Sequence, residues 1–164
     1  MFPHGPLPTV KRPEGSKPRF ERDIGIHFSV SHSGDYWVCA VSRREVGLDI
    51  QFRGAEYRRE IAKRFFHPEE YEYLESNDYR DFFTIWTAKE SYVKFNGRGI
   101  GGLSDFSVVS SFTGGETAGR IRGEISGIRI RFFSFDPDYC MCLCAADTRD
   151  VDLIRIQRYL ICQS

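Results

Sequence analysis

The pattern between residues 78 and 96 constrains the fold most strongly, because apolar side chains recur there at the spacing of a long α-helix. On such a helix Trp86, Glu90 and Lys94 would share one stripe, with Lys89 beside them. A carboxylate one turn from an ammonium group is either a solvated surface pair or part of a site for charged ligands. The spacing alone leaves both interpretations open.

Shorter patterns on either side of this helix predict an α+β fold. Residues 26–30 and 37–42 are rich in β-forming residues, and the Ser-Gly-Asp sequence between them predicts a hairpin. Further strands are predicted at 45–52, 106–112, 119–125, 128–135 and 140–146, and further helices at 55–66, from 67 onward and at 150–160. A glycine-rich run at 97–102 ends the long helix. The expected architecture is a helical pair and a long helix packed on a mainly antiparallel sheet.

Composition limits the classes of function. A chain of 164 residues suits one domain, and 41% hydrophobic residues are typical of a folded protein. Lysine plus arginine and aspartate plus glutamate each total 23, so bulk electrostatic binding to nucleic acid is not expected. No apolar run approaches the roughly 20 residues needed to cross a bilayer, and residues 1–20 lack a signal core. We therefore expect a cytoplasmic protein without membrane contact.

Cysteine spacing adds a structural prediction. Three of the five cysteines, Cys140, Cys142 and Cys144, alternate along one segment. This spacing favours one buried face of a strand over a disulfide framework or a zinc site, which would use a Cys-x-x-Cys spacing and nearby histidines.

Asp49 is the first candidate for metal binding. Alternation places Asp49 and Gln51 on one face of a predicted strand that is otherwise apolar. Burying an isolated carboxylate is unfavourable, and a hard cation with oxygen ligands would compensate for it. Glu90 would be the second carboxylate ligand, and Gln51 would offer an amide oxygen or hold a metal-bound water. A solvated edge position or an ion pair with an arginine is the alternative for Asp49.

Cations and a histidine are candidates for phosphate binding. Lys89 and Lys94 would meet phosphate oxygens as point charges, although a solvated helix face explains them equally well. His32 lies in the Ser31-His32-Ser33 sequence, which we expect to form a turn before Gly34. The chain has no Gly-x-Ser-x-Gly elbow, so phosphate binding is favoured over nucleophilic hydrolysis. A purely structural turn is the alternative.

Three segments in this order resemble the 4′-phosphopantetheinyl transferases of the larger type that activates peptide synthetases. They are residues 28–33 (FSVSHS), 46–50 (VGLDI) and 86–94 (WTAKESYVK). Arg64-Phe65-Phe66, Gly97-Arg98-Gly99 and Lys17-Pro18 add to the likeness, which covers nearly the whole chain from about residue 15. Each motif is weak alone, but the ordered set is specific.

The resemblance implies transfer of 4′-phosphopantetheine from coenzyme A to a serine of an apo acyl- or peptidyl-carrier protein, with release of 3′,5′-adenosine bisphosphate. It implies that Asp49 and Glu90 hold Mg²⁺ and that Glu90 is the base for the carrier serine. It implies that Lys94 and His32 are catalytic residues that contact phosphates and that Lys17 lies near the nucleotide. The full set of predicted coenzyme A contacts is Lys17, Pro18, Ser31, His32, Lys89 and Lys94.

Two departures from the family pattern carry further expectations. Gln51 stands where the surfactin-type pattern commonly has a third acid. That type also has two similar halves with the coenzyme between them, whereas residues 1–45 match only the last arm and hairpin of the first half and residues 46–164 match the second. Self-association is therefore predicted, and a non-catalytic module that binds coenzyme A or a carrier protein is the alternative function.

Overall fold

The computed structural model describes residues 8–13, 17–54, 58–97, 99–109, 118–120 and 128–154. Within these ranges the strands are β1 (Val10–Lys11), β2 (Arg19–Phe20), β3 (His27–Ser33), β4 (Tyr36–Ser42), β5 (Val46–Phe52), β6 (Ala118–Arg120), β7 (Arg129–Phe133) and β8 (Tyr139–Ala145). The helices are α1 (Arg58–Phe65), α2 (Pro68–Ser76) and α3 (Phe82–Asn96), followed by a 3₁₀-helix at Ile100–Asp105. Helices with antiparallel sheets confirm the predicted α+β class.

The largest sheet among the described residues has the strand order β5-β8-β7-β6, and every pairing is antiparallel. One face packs against α3, and the sulfurs of Cys140, Cys142 and Cys144 lie buried in that core. The other face carries residues such as Leu48 and Ile50, which cluster with the inner side of β4. The predicted buried strand face of alternating cysteines is confirmed, and all three thiols are free.

Strands β3 and β4 form the predicted hairpin, but its turn is shorter than expected. The turn is Gly34-Asp35, with Gly34 at φ +52°, so residues 31–33 belong to β3 and the predicted Ser-His-Ser turn is wrong. The strand extends because full antiparallel pairing continues to Ser33 opposite Tyr36. A two-residue turn with a left-handed glycine suits such a hairpin.

Three serine hydroxyls attach the hairpin to the large sheet. The Oγ atoms of Ser29, Ser31 and Ser33 accept hydrogen bonds from the backbone N–H groups of Leu48, Ile50 and Phe52, at 2.9, 3.4 and 2.9 Å. Both series advance by two residues, so the hydroxyls take the place of backbone carbonyls along this edge of β5. The serines thus supply hydrogen-bond acceptors for N–H groups of β5 that would otherwise need a neighbouring strand.

The long helix starts four residues later than predicted. Asp78 and Tyr79 have φ values of 54° and 56°, in the left-handed region that a right-handed helix cannot contain. Helix α3 therefore begins at Phe82. Its end agrees with the prediction, because Gly97 adopts φ 71° and donates its N–H to the carbonyl of Val93. The shorter helix α2 starts at Pro68, as expected.

The prediction of a strand at 106–112 is wrong for residues 106–109, the part that the structure describes, because they do not form a strand. The carbonyl of Phe106 accepts a 2.5 Å hydrogen bond from the ammonium of Lys89, and the N–H of Val108 donates to Glu70 at 2.8 Å. The two charged groups form a 2.7 Å ion pair, with both side chains fully buried. These backbone groups are satisfied by a buried pair of side chains instead of a neighbouring strand. Residues 110–112 lie outside the described part.

The prediction of a closing helix at 150–160 is also wrong for the residues that the structure describes, 150–154. Residues 150–154 are not helical, and Leu153 and Ile154 are exposed. The carboxylate of Asp147 accepts hydrogen bonds from both the backbone and the guanidinium of Arg149, which forms a local turn just before this segment. Residues 155–160 lie outside the described residues, as do 55–57 of the first predicted helix and 121–125 of a predicted strand.

Among the described residues, no helix is long and apolar enough to pass through a membrane.

A glycine sets the distance between α3 and the large sheet. A β-carbon added at Gly47 of β5 would lie 1.9 Å from the carbonyl oxygen of Ser91 and 2.5 Å from the backbone nitrogen of Phe95. Both atoms belong to the backbone of α3, so they can move aside only if the whole helix shifts. Only glycine at this position permits the observed approach.

We expect Gly47→Ala to push α3 away from β5 and to lower the free energy of unfolding by about 1–3 kcal/mol, the range for overpacking a core. Urea unfolding followed by circular dichroism measures this loss. Gly101→Ala is the matched control, since a β-carbon there would meet nothing within 4 Å. Equal stability of the two variants would contradict the close approach.

Candidate active site

Three elements bring Ser31, Asp49 and Lys94 into direct contact. The ammonium of Lys94 on α3 lies 2.7 Å from Oδ1 of Asp49 on β5 and 2.9 Å from Oγ of Ser31 on β3. The Ser31 hydroxyl also donates to Oδ1 of Asp49 at 2.7 Å. Asp49 is only 1% exposed, whereas the Lys94 side chain is 24% exposed. The floor of the site is therefore an ion pair between a buried carboxylate and an ammonium group that reaches solvent.

Glu90 is located one helical turn before Lys94, as the sequence pattern predicts. It is nearly buried, and its Oε1 has no hydrogen-bond partner among the described residues. Burial raises the pKa of Glu90 to about 7; the negative charge of Asp49 adds to this effect and the ammonium of Lys94 opposes it. Near neutral pH this carboxyl group is therefore able both to accept and to release a proton.

Gln51 lies beside the Asp49 carboxylate and would add an amide oxygen to the two carboxylates of the site. Its Nε2 donates to Oδ2 of Asp49 at 3.3 Å, so the two side chains share one face of β5, as predicted. Among the described residues no three His, Cys, Asp or Glu side chains cluster as metal ligands. Magnesium, however, needs only one or two carboxylates when phosphates and waters supply its other ligands. The buried, unpaired oxygen of Glu90 next to the Asp49 charge is consistent with such a cation, so these residues fit Mg²⁺.

The structure does not bring His32 to this cluster. Because side chains alternate along β3, His32 points to the opposite face from Ser31. It is exposed, and its ring stacks on Trp37 with centroids 4.5 Å apart and an interplanar angle of 25°. A direct role for His32 beside Asp49 is not supported by this arrangement.

Lys89 is also separate from the cluster, although it is adjacent to Glu90 in sequence. Its ammonium is fully buried against Glu70 and the Phe106 carbonyl, and it lies 4.2 Å from the centroid of the Phe106 ring. Burial lowers the pKa of Lys89, and the charge of Glu70 opposes that shift. The predicted phosphate contact by Lys89 is not supported, because its hydrogen bonds are already made inside the core.

A cavity of about 600 Å³ opens where β2, the start of β3 and the C-terminal end of α3 meet. Lys17 and Pro18, both predicted for coenzyme binding, line it together with Phe95 to Gly97, which follow Lys94. The ammonium of Lys17 bonds to the carboxylate of Glu45 and, at 3.0 Å, to the carbonyl of Val46. Burial lowers the pKa of Lys17 to about 8. The wall of the cavity thus carries a cation that is paired with a carboxylate.

Sequence reasoning missed several residues that the fold places at the site. Glu45 and His27 line the cavity, and no motif identifies them because they meet only through the hairpin. Ser29 and Ser33 dock β3 on β5. The signal for these two was available, since serines at every second position of a predicted strand indicate one hydroxyl-bearing face.

Comparison with known proteins places this site in a family. A sequence model of the 4′-phosphopantetheinyl transferase superfamily matches residues 45–144, more than half of the chain. The chain therefore belongs to the 4′-phosphopantetheinyl transferase superfamily, and the resemblance inferred from the motifs is confirmed.

The sequence is similar to individual transferases of the Sfp and Gsp type. The chain is 35% identical to 4′-phosphopantetheinyl transferase Sfp of Bacillus subtilis (strain 168) over 126 residues, which is 73% of this chain and 55% of that protein. It is 45% identical to gsp of Aneurinibacillus migulanus over 82 residues, 48% of this chain and 34% of that protein. With psf-1 of Bacillus pumilus the identity is 36% over 133 residues, 78% of this chain and 56% of that protein. The chain spans about a third to just over half the length of these relatives.

The raised pKa of Glu90 predicts a pH-dependent stability. Because the folded-state pKa of about 7 exceeds the ordinary value of 4.5, the folded protein binds more protons and loses stability as pH rises between these values. We expect Glu90→Gln to remove this loss and to be more stable than the parent at pH 8 by about 1–3 kcal/mol, but not at pH 4.

Urea unfolding at the two pH values, in metal-free buffer, measures the difference. Glu72→Gln, which makes the same change at an exposed position of α2, is the control and should follow the parent. If Glu90→Gln also follows the parent at both pH values, the pKa of Glu90 is not raised.

Proposed function

We propose that this chain transfers the 4′-phosphopantetheine group of coenzyme A to a serine of an apo acyl- or peptidyl-carrier protein in a magnesium-dependent reaction. The observation that carries the proposal is the meeting of Glu90 and Lys94, from one stripe of α3, with buried Asp49 and with Ser31. Family membership supports it, since the relatives are named 4′-phosphopantetheinyl transferases.

Coenzyme A is an anion at neutral pH, and the proposed binding region offers cations along one path. Lys17 lies in the cavity at the C-terminal end of α3, and Lys94 lies at the Asp49 cluster one turn earlier on that helix. Ammonium groups bind phosphate oxygens as point charges. We assign the nucleotide part of coenzyme A to the cavity and its pyrophosphate to the neighbourhood of Lys94.

Glu90 is the proposed general base. It accepts the proton of the carrier serine hydroxyl, and the serine oxygen attacks the phosphorus that bears the pantetheine arm. The bond from this phosphorus to the bridging oxygen breaks, and 3′,5′-adenosine bisphosphate leaves with the bond electrons. Oε1 of Glu90 is buried and has no hydrogen-bond partner among the described residues, so it is available to accept this proton. Lys94 balances negative charge on the departing phosphate.

The two carboxylates and Gln51 are the proposed magnesium ligands. When bound there, Mg²⁺ would neutralise charge on the pyrophosphate as a Lewis acid. Lys94 then would exchange its contact with Asp49 for a phosphate oxygen, since both are anionic partners and the Lys94 side chain is partly exposed to solvent. Because Gln51 brings no charge, we expect weaker binding of the metal than at a site with three acids.

A second candidate is a module that binds coenzyme A or a carrier protein without catalysis. Gln51 favours it, because the site has one charge fewer than the three-acid pattern of the family. Phosphate contact by His32, cytoplasmic location, independence from nucleic acid and self-association stay predictions.

Incubation with coenzyme A, Mg²⁺ and an apo carrier protein, followed by intact-mass measurement of the carrier, tests the transfer. We expect the mass of one phosphopantetheine group to be gained with the parent and with Glu72→Gln, and the rate to fall at least about 100-fold with Glu90→Gln. If no carrier of a panel gains mass while coenzyme A still binds, the result favours the non-catalytic binding module. Full activity of Glu90→Gln would contradict the assigned base.

Restoring a third acid tests the metal assignment. We expect Gln51→Glu to lower the Mg²⁺ concentration needed for half-maximal transfer, because another carboxylate joins the donor set. A magnesium titration of the initial rate measures it, with Glu72→Gln as the charge-changing control outside the site. An unchanged midpoint would place Gln51 outside the coordination sphere.

A further inference from the structure

We propose that Glu45 is an internal competitor for the anion-binding cation Lys17: its carboxylate occupies the ammonium group until an anionic ligand displaces it. The inference rests on the proposed function in one respect, that coenzyme A enters the cavity lined by Lys17. Glu45 belongs to none of the motifs that indicate the site, and it directly precedes β5.

The contacts hold Glu45 in the competing position. Its Oε1 accepts a hydrogen bond from Nζ of Lys17, and its Oε2 lies 3.1 Å from Nδ1 of His27. Both carboxylate oxygens are therefore engaged by side chains that line the cavity. Lys17 is the more enclosed partner, with 18% of its side chain exposed against 38% for Glu45. The ammonium thus has little water to replace the carboxylate, and an incoming anion must do so.

The remaining charges of the cavity make this contact decisive for anion binding. The charged lining residues are Lys11, Lys17, Arg19, Arg22, Glu21, Asp23 and Glu45. Four cations therefore line the cavity with three carboxylates, and Lys17, the least exposed of the four cations, is already paired with Glu45. Asp23 is engaged elsewhere, since it accepts the N–H of Gly25 at 2.9 Å. Among these acids in the described part of the chain, Glu45 is the one paired with Lys17.

Displacement leaves Lys17 in place. Its second hydrogen bond, to the carbonyl of Val46 at 3.0 Å, does not involve Glu45 and keeps the ammonium at the cavity wall. A phosphate oxygen replaces one charged partner with another, so the ion-pair energy lost is offset by the one gained. The carboxylate, more than one-third exposed, turns toward solvent. We therefore expect the competition to weaken the binding of every anion at Lys17, and multiply charged phosphates to displace Glu45 more readily than singly charged ligands do.

Isothermal titration with inorganic pyrophosphate and, separately, with coenzyme A tests the competition, in buffer containing EDTA so that no metal contributes. Glu45→Gln keeps the shape and an acceptor for Lys17 but removes the charge. We expect its Kd for both ligands to fall about fivefold, the effect of losing an ion pair of this exposure. Glu21→Gln makes the same change of charge in the same cavity and should alter Kd less than about twofold.

A double-mutant cycle isolates the contact. In a Lys17→Met background, Glu45→Gln should change the Kd for pyrophosphate no more than Glu21→Gln does. Glu45→Ala provides a second variant without the carboxylate, and thermal unfolding checks that each variant is folded.

Several outcomes would overturn the proposal. They are equal effects of Glu45→Gln and Glu21→Gln, an unchanged or higher Kd in Glu45→Gln, and the absence of pyrophosphate binding to every variant. If Glu45→Gln tightens binding of pyrophosphate but coenzyme A does not bind, the competition stands and the proposed function fails. If the protein transfers phosphopantetheine to a carrier but Glu45→Gln leaves the Kd for both ligands unchanged, the proposed function stands and the competition fails.

Discussion

The close approach of α3 to β5 at Gly47 is the contact on which the rest of the site depends. The backbone of the helix lies where a β-carbon would be, so the two elements are nearer than side chains allow. Asp49 follows Gly47 on the same face of β5, and Glu90 and Lys94 flank the helix carbonyl that meets Gly47. At this separation a lysine of the helix reaches an aspartate of the strand at 2.7 Å. A larger residue in place of Gly47 would clash with the backbone of α3 and push Glu90 and Lys94 away from Asp49.

Two ion pairs made by lysines of α3 have different consequences. Lys89 and Glu70 are sealed in the core and bind backbone groups of residues 106–108, so they fix the position of α3 against α2 and that segment. Lys94 and Asp49 form a pair that reaches solvent, and Glu90 beside them has an oxygen without a partner. The first pair is fully satisfied and structural, whereas the second is incomplete in a way that suits exchange of protons, phosphates or a cation.

The sequence predicted the long helix, the strand that bears Asp49, the hairpin and the cysteine-bearing strand, because each has a clear local period. It failed at Asp78 and Tyr79, whose left-handed backbone ends the helical pattern early, and at residues 106–109, whose backbone partners are the distant side chains of Glu70 and Lys89. Hydrogen bonds of this kind have no periodic signature. The same difficulty applies to Glu45, which meets Lys17 across 28 positions of the chain.

The sequence by itself determined the family and the residues Asp49, Glu90 and Lys94, because ordered motifs and helical spacing are local properties. Only the tertiary structure decided which of the other candidates join them. Ser31 and His32 are adjacent, yet strand alternation sends one to Asp49 and the other to the opposite face. Lys89 and Glu90 are adjacent as well, and helix rotation buries the first against Glu70 while the second lies beside Asp49. Neighbours in sequence separate in space because each element has two faces, and packing assigns a partner to each.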